Sequence, residues 1–214
     1  MNNSIIYIAG SDGSGKTTIL REIEDKIVSG GNKTRHIWLR SPKLTSKPLM
    51  AYCRLVGLTK YKIVDGIKYG KHEFYKSTFV SWLFPILQLL DFNIKWFMEK
   101  RKIKENEILL FDRFSIDTLA DLIVDTRRMT LHKSWIGKSF INAIPENTKI
   151  VILKVDENVI RERKKDTLYD ELLQDKINVY DLLSKDLNIK VIDNNKDYKC
   201  AFHEALNYIR YGQN

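Results

Sequence analysis

The sequence is short of the residues that staple small folds together. It holds two cysteines, Cys53 and Cys200, far apart and outside any CxxC spacing. That argues against a disulfide framework and a thiolate zinc site, and it fits a reducing cytoplasm. No apolar run reaches the roughly 20 residues needed to cross a bilayer. The most apolar stretch, 79–90, contains Pro85 and is followed by Asp91, Asn93 and Lys95. It reads as a buried helix or a subunit interface, so residues 79–98 are the place to expect a homodimer. A strand-like run begins within the first few residues, so no signal peptide is expected. Repeats, low-complexity segments and linkers are missing, which points to one domain over residues 1–214. The aromatic and basic signatures of nucleic-acid modules are missing too, so no nucleic-acid partner is expected. The net charge of +9, spread along the chain, favours anionic partners such as nucleotides or acidic sugars; the plainer alternative is a solvated basic surface.

What is present has the rhythm of an α/β protein. Ser4–Ala9 is a short β-rich run, and Ile19, Ile23 and Ile27 then recur at helical spacing until Gly30-Gly31. Arg35–Leu39 reads as a second strand, and a long polar, proline-containing passage runs from Arg40 to about Gly70. Helical pattern resumes near Glu73 and continues, bent or interrupted at Pro85, to about Lys102. Glu107–Phe111, Ile150–Val155 and Ile189–Ile192 are continuous apolar runs of strand length, and a last helix starts near Asp197. Continuous apolar strands separated by long helices indicate a five-stranded parallel sheet covered on both faces.

One motif carries chemistry on its own. Gly10-Ser11-Asp12-Gly13-Ser14-Gly15-Lys16-Thr17 fills every fixed position of G-x-x-x-x-G-K-[ST], between a strand and a helix. Glycines allow the backbone N–H groups to form a nest for phosphates, and the following helix adds its positive N-terminal end. Lys16 would reach the β- and γ-phosphates of ATP, and the Thr17 hydroxyl would ligate Mg2+. Asp112, ending the apolar run 108–111, stands where a second magnesium-binding residue belongs. Without the phosphate loop it would read as an ordinary strand-end acid or helix cap.

Together with Thr18 these residues resemble the thymidylate kinase family of P-loop nucleoside monophosphate kinases. The resemblance covers most of the chain and rests on Asp12–Thr18, Arg40-Ser41-Pro42 and Asp112-Arg113-Phe114. It implies the P-loop kinase sheet order 2-3-1-4-5 with helices on both faces. It also implies an acceptor site using Asp12 and Arg40, and an Arg113 placed between donor and acceptor phosphates. Arg161, Arg163, Lys164 and Lys165 resemble a basic lid near 161–170, with Arg161 and Arg163 as the catalytic cations; a solvated basic helix face is the alternative. Asp117, Asp121 and Asp125 fall on one helical face that either lines the acceptor pocket or faces solvent, and Asp117 is the acceptor-binding candidate.

The acceptor motifs diverge from the family. Its Asp-Arg pair is replaced by Asp91-Phe92, and its thymine-reading Tyr-Gln by Asp121-Leu122. Phenylalanine cannot pair with a phosphate, and leucine cannot hydrogen-bond a base. The expectation is therefore ATP-dependent phosphoryl transfer to a nucleoside monophosphate, with dTMP first. The stated alternative is a sugar, sugar phosphate or lipid-linked acceptor. A nucleotide switch is disfavoured: Asn195-Lys196-Asp197-Tyr198 fails the Asn-Lys-x-Asp pattern at its last position.

Overall fold

The computed structural model describes residues 3–64 and 66–211. The chain opens with β1 (Ile5–Gly10), α1 (Lys16–Ser29), β2 (Lys33–Ile37) and α2 (Lys47–Leu55). A hairpin of β3 (Thr59–Val64) and β4 (Ile67–His72) leads to α3 (Thr78–Lys100), β5 (Glu107–Asp112), α4 (Ser115–Thr126) and α5 (Trp135–Asn142). β6 (Thr148–Lys154), α6 (Glu157–Arg163), α7 (Leu173–Asp186), β7 (Lys190–Asp193) and α8 (Tyr198–Tyr211) complete the order.

Five strands pair in parallel as β2-β5-β1-β6-β7. Counted among themselves in chain order they run 2-3-1-4-5, the order expected of a P-loop kinase fold. β1 is central and buried at all six positions. Its side chains alternate between the two layers: Ile5, Tyr7 and Ala9 join one core, Ile6 and Ile8 the other. The first core is closed by α2 to α5 and α7, the second by α1 and α8. Because parallel strands all end at the sheet's carboxyl edge, β1, β5 and β6 deliver their next residues to one rim. That rim holds the phosphate loop.

Two readings of the middle of the chain change. The polar passage 40–70, given no elements from sequence, holds α2 and the β3–β4 hairpin. Most of β3 is exposed, and its Lys-Tyr-Lys run gives no apolar alternation for sequence to register. α3 begins later than expected, at Thr78, where the Ser77 side chain accepts a hydrogen bond from Val80 N. It then passes through Pro85 to Lys100 as one assigned helix. Phe92 and Trp96 face the core, whereas Phe79, Trp82, Ile86, Leu90, Ile94 and Phe97 form an exposed stripe on α3. Among the described residues, no helix is long and apolar enough to cross a membrane.

Candidate active site

The phosphate loop fills the turn between β1 and α1, and its neighbours press closely on it. Gly15 has φ 92°, and a Cβ there would stand 2.7 Å from Asn194 Nδ2. Gly13 has φ 81°, and a Cβ there would meet Ile160 Cγ2 at 2.9 Å and Lys164 Cβ at 3.5 Å. Any larger residue would break the loop at either place. Asn194, just past β7, is almost wholly buried and donates from Nδ2 to Ser14 O at 2.9 Å. Sequence reasoning missed it, since nothing local to residue 194 signals a partner 180 residues away.

Lys16 is only 4% exposed. Its ammonium donates to Gly10 O at 2.7 Å and Ser11 O at 2.6 Å. Burial lowers its pKa to about 8, aided by the positive charges of Arg40 and Lys164 and opposed by Asp117 and Asp112. Thr17 and Asp112, expected as a magnesium pair, are brought together: the hydroxyl donates to Asp112 Oδ2 at 2.9 Å. Both are hard oxygen donors, and Mg2+ is commonly held by one or two protein oxygens with phosphates and water completing its shell. The donor set fits that ion. Ser11 and Ser14 are buried in the loop, while Thr18 lies exposed on the first turn of α1.

Asp12 sits at the mouth of this loop between two arginines. Arg113 reaches it through Nη2, and Arg40 Nη1 donates to its Oδ2 at 3.1 Å. Arg40 also grips Asp121 with Nε at 2.8 Å and Nη2 at 3.1 Å. Burial works against the Arg40 charge, yet the Asp121 carboxylate outweighs it and raises the pKa above the ordinary arginine value. Arg113 has φ 69°, an uncommon conformation for a side-chain-bearing residue, and its carbonyl accepts from Leu39 N at 2.9 Å. Arg40, Asp12, Arg113 and Asp121 thus form one chain of charge from the phosphate loop to α4.

Three of the expected residues occupy other positions. Asp117 is fully buried: its two oxygens accept from Tyr7 and Tyr180 hydroxyls, each at 2.7 Å, and from Phe114 N at 3.0 Å. It closes the N-terminus of α4 instead of facing an acceptor. Arg161 binds Glu157 and the carbonyls of Thr167, Leu168 and Asp170, so it holds the segment 157–170 together from within. Arg163 donates to Asn194 O at 2.7 Å and Asn195 O at 3.2 Å, tying α6 to the loop after β7. The side chain of Lys164 packs beside Gly13, and its ammonium pairs with Asp166 at 3.1 Å.

Next to this rim lies a cavity of about 670 Å³. Arg40, Lys43, Lys95 and Lys176 line it together with Asp121 and Asp125, and Trp38, His72 and Phe84 contribute rings. Arg40 pairs with Asp121, and Lys176 with Asp170 at 3.0 Å. Lys43 and Lys95 form no ion pair among the described residues, and Lys95 Nζ lies 5.5 Å from the Trp38 ring centre. Burial, then the Asp121 charge, pushes the Asp125 carboxyl well above the usual range. Burial, then Lys43, lowers His72 to about 4. Asp91, the residue before Phe92, is buried in α3. It accepts from the backbone N of Leu44, Thr45 and Ser46 and from both hydroxyls of Thr45 and Ser46. It therefore fixes the loop that carries Lys43.

No protein-family model matches this chain, and no curated protein matches it in sequence. Among solved structures it is similar to a gluconokinase from Sinorhizobium meliloti 1021, with 13% identity and a TM-score of 0.45 over 98% of this chain and 92% of that one. A likeness at that level carries no argument about what this chain acts on.

The lowered pKa of Lys16 gives a pH signature. Below about 8 the ammonium is already charged for an incoming polyphosphate; above it, binding must first take up a proton. Affinity for ATP should therefore weaken as pH rises from 7 to 9, with proton uptake visible by titration calorimetry in buffers of different ionisation enthalpy. A pH-independent affinity over that range would place the Lys16 proton elsewhere.

Proposed function

We propose that this chain is a magnesium-dependent kinase that passes the γ-phosphoryl group of ATP to a small anionic acceptor bearing hydroxyls. The observation that carries this reading is the cluster of Lys16, Thr17 and Asp112 at the phosphate loop, opening beside a cavity whose unpaired charge is positive. Phosphoryl transfer needs little covalent help; it needs alignment and neutralisation of charge on the transferring oxygens. The loop N–H groups and Lys16 would hold the triphosphate. Thr17 and Asp112 would hold Mg2+, which supplies charge neutralisation on the phosphates when bound. Lys164, over Gly13, would face the γ-phosphoryl, and Arg113 would stand between it and the acceptor. Asp12 would orient the acceptor hydroxyl, and Arg163 would serve the donor by fixing the loop after β7.

Of the acceptor classes expected from the sequence, the sugar-type one, a sugar phosphate or sugar acid, suits this cavity better. Phe92 is locked in the core, edge-to-face with Phe114 at 5.1 Å and Phe140 at 5.3 Å, and gives no charge to an acceptor phosphate. Leu122 gives no hydrogen bond to a base. Lys43 and Lys95 remain for a phosphate or carboxylate, and Asp121 for hydroxyls. The nucleoside monophosphate reading keeps one observation, the Trp38 and Phe84 rings, which would stack on a base. Specificity constants for dTMP, other nucleoside monophosphates, sugar phosphates and sugar acids, measured in one assay with magnesium-ATP, separate them. The sugar-type anions should be preferred; selective use of dTMP would restore the nucleotide reading, and no transfer to any acceptor would end the kinase proposal.

The lid assignment has its own test. Lys164→Ala should lower kcat about a hundredfold, on the order of 3 kcal/mol, with little change in ATP affinity. Arg163→Ala should do the reverse, weakening ATP binding more than turnover. If Arg163→Ala lowered kcat at unchanged affinity while Lys164→Ala did neither, the roles would be exchanged.

A homodimer through residues 79–98 belongs to the same proposal. The exposed stripe on α3 is apolar over most of the helix, and a second copy would remove it from water. Sedimentation at micromolar concentration should give a dimer that Leu90→Glu converts to monomer. A wild-type monomer would refute it.

A further inference from the structure

A second cavity, of about 540 Å³, lies between the β3–β4 hairpin and the segment 166–172 that follows the lid helix. It meets the acceptor cavity at Gly70 and Leu172, which line both, and no phosphate-loop residue lines it. Each cavity alone falls within the ~300–1,000 Å³ that usually holds one small ligand. Together they exceed what a monosaccharide or a mononucleotide would fill.

The junction is kept open by a glycine that the backbone does not require. Gly70 sits in the interior of β4 opposite Tyr61, and its φ lies outside the left-handed region. Glycine weakens a strand, and an interior one often marks a close approach by a ligand or another chain. A Cβ at residue 70 would stand 3.2 Å from the Tyr61 ring and project into the shared wall.

The lining of the second cavity differs from that of the first. Its four carboxylates are all in ion pairs: Glu73 with Lys60 and Lys76, Glu171 with Lys71, Asp166 with Lys164, and Asp170 with Lys176. Of its own three lysines, Lys62 is without an ion pair among the described residues, against both Lys43 and Lys95 in the first cavity. Tyr61, Tyr69 and Tyr169 add amphipathic ring faces, with Tyr69 and Tyr169 edge-to-face at 6.0 Å. Charged groups of both signs beside aromatic faces match a neutral polyhydroxyl ring, whose hydroxyls both donate and accept and whose C–H faces pack on aromatics. A lipid chain would call for an apolar lining, which this is not.

We propose that the acceptor is a two-part molecule: its anionic, reacting unit occupies the cavity at Arg40 and Lys43, and a neutral second sugar-type ring occupies the hairpin–lid cavity. The anionic unit rests on the kinase reading above; the second ring rests on the hairpin–lid cavity itself. The Lys71–Glu171 pair and the Tyr69 hydroxyl, 3.5 Å from Lys165 O, close the far side of that cavity by joining hairpin to lid.

The test is binding without nucleotide, so that it does not depend on phosphoryl transfer. Neutral disaccharides of glucose, galactose and mannose, in each common linkage, are titrated into the isotopically labelled full chain and followed at the Gly70 and Tyr169 amides. Inorganic tripolyphosphate and a fatty-acid micelle serve as the anionic and apolar comparisons. At least one disaccharide should shift both amides where the monosaccharides do not, and Tyr169→Ala should weaken that binding tenfold or more. Gly70→Val, which fills the junction and favours the strand, should also lose it while keeping the spectrum of the folded chain. The proposal is overturned if no disaccharide shifts these amides, if the shift survives Tyr169→Ala, or if tripolyphosphate or the micelle is the better ligand. Disaccharide binding without any phosphoryl transfer would sink the kinase reading and leave the second-ring site standing.

Discussion

A full positive charge held inside a turn of bare backbone is the constraint on which this molecule is arranged. Removing an ammonium from water costs several kcal/mol unless polar groups replace its hydration. At Lys16 the replacement comes from the carbonyls of Gly10 and Ser11, and from the fields of Asp112 and Asp117. The parallel sheet supplies all of these at one rim. β1 ends in the loop, β5 ends in Asp112, and α4 starts with Asp117 buried beneath both. Even so the ammonium remains easier to discharge than in water. On the reading proposed above, an incoming polyphosphate would add the negative charge that favours the ammonium.

Charge is graded outward from that point. Asp12 lies between Arg40 and Arg113, and Arg40 is clamped in turn by Asp121, so the boundary between phosphate loop and acceptor cavity is a balanced chain. Beyond it Lys43 and Lys95 tip the first cavity positive, whereas in the second every lining carboxylate is paired and Lys62 is the one lining lysine left over among the described residues. This gradient, and not any single residue, is the argument that the acceptor is anionic at its reacting end. The lid respects the same logic. Arg161 is held by its own loop and Arg163 by the loop after β7, while Lys164, paired with Asp166 at 3.1 Å, lays its side chain beside Gly13.

Much of this was legible in the sequence, for identifiable reasons. Continuous apolar runs announced β1, β5 and β6 because both faces of those strands are covered, and the phosphate loop announced itself because its geometry demands glycines. Thr17 and Asp112 were readable as a pair once the strand ends were known. The failures share a cause. Asp117 is decided by Tyr7, 110 residues away, and Tyr180, 63 residues away, so helical spacing alone could not say whether it faces inward. Arg163 and most of the Arg161 contacts are to backbone carbonyls, which have no sequence signature; the Glu157–Arg161 pair, four residues apart, is the readable part. The β3–β4 hairpin has little apolar periodicity because its contacts are polar and aromatic and most of β3 is exposed, and it is the element that builds the second cavity.

The central claim is that the γ-phosphoryl group of ATP leaves this site on an acceptor hydroxyl and not on water. It is tested most directly with ATP carrying heavy oxygen in its γ-phosphoryl group, magnesium, and anionic sugar acceptors, with products identified by mass spectrometry. The account predicts that the label appears in a phosphorylated acceptor, and that Lys16→Ala abolishes it. Label recovered only in inorganic phosphate, at the same rate with and without acceptor, would contradict the account.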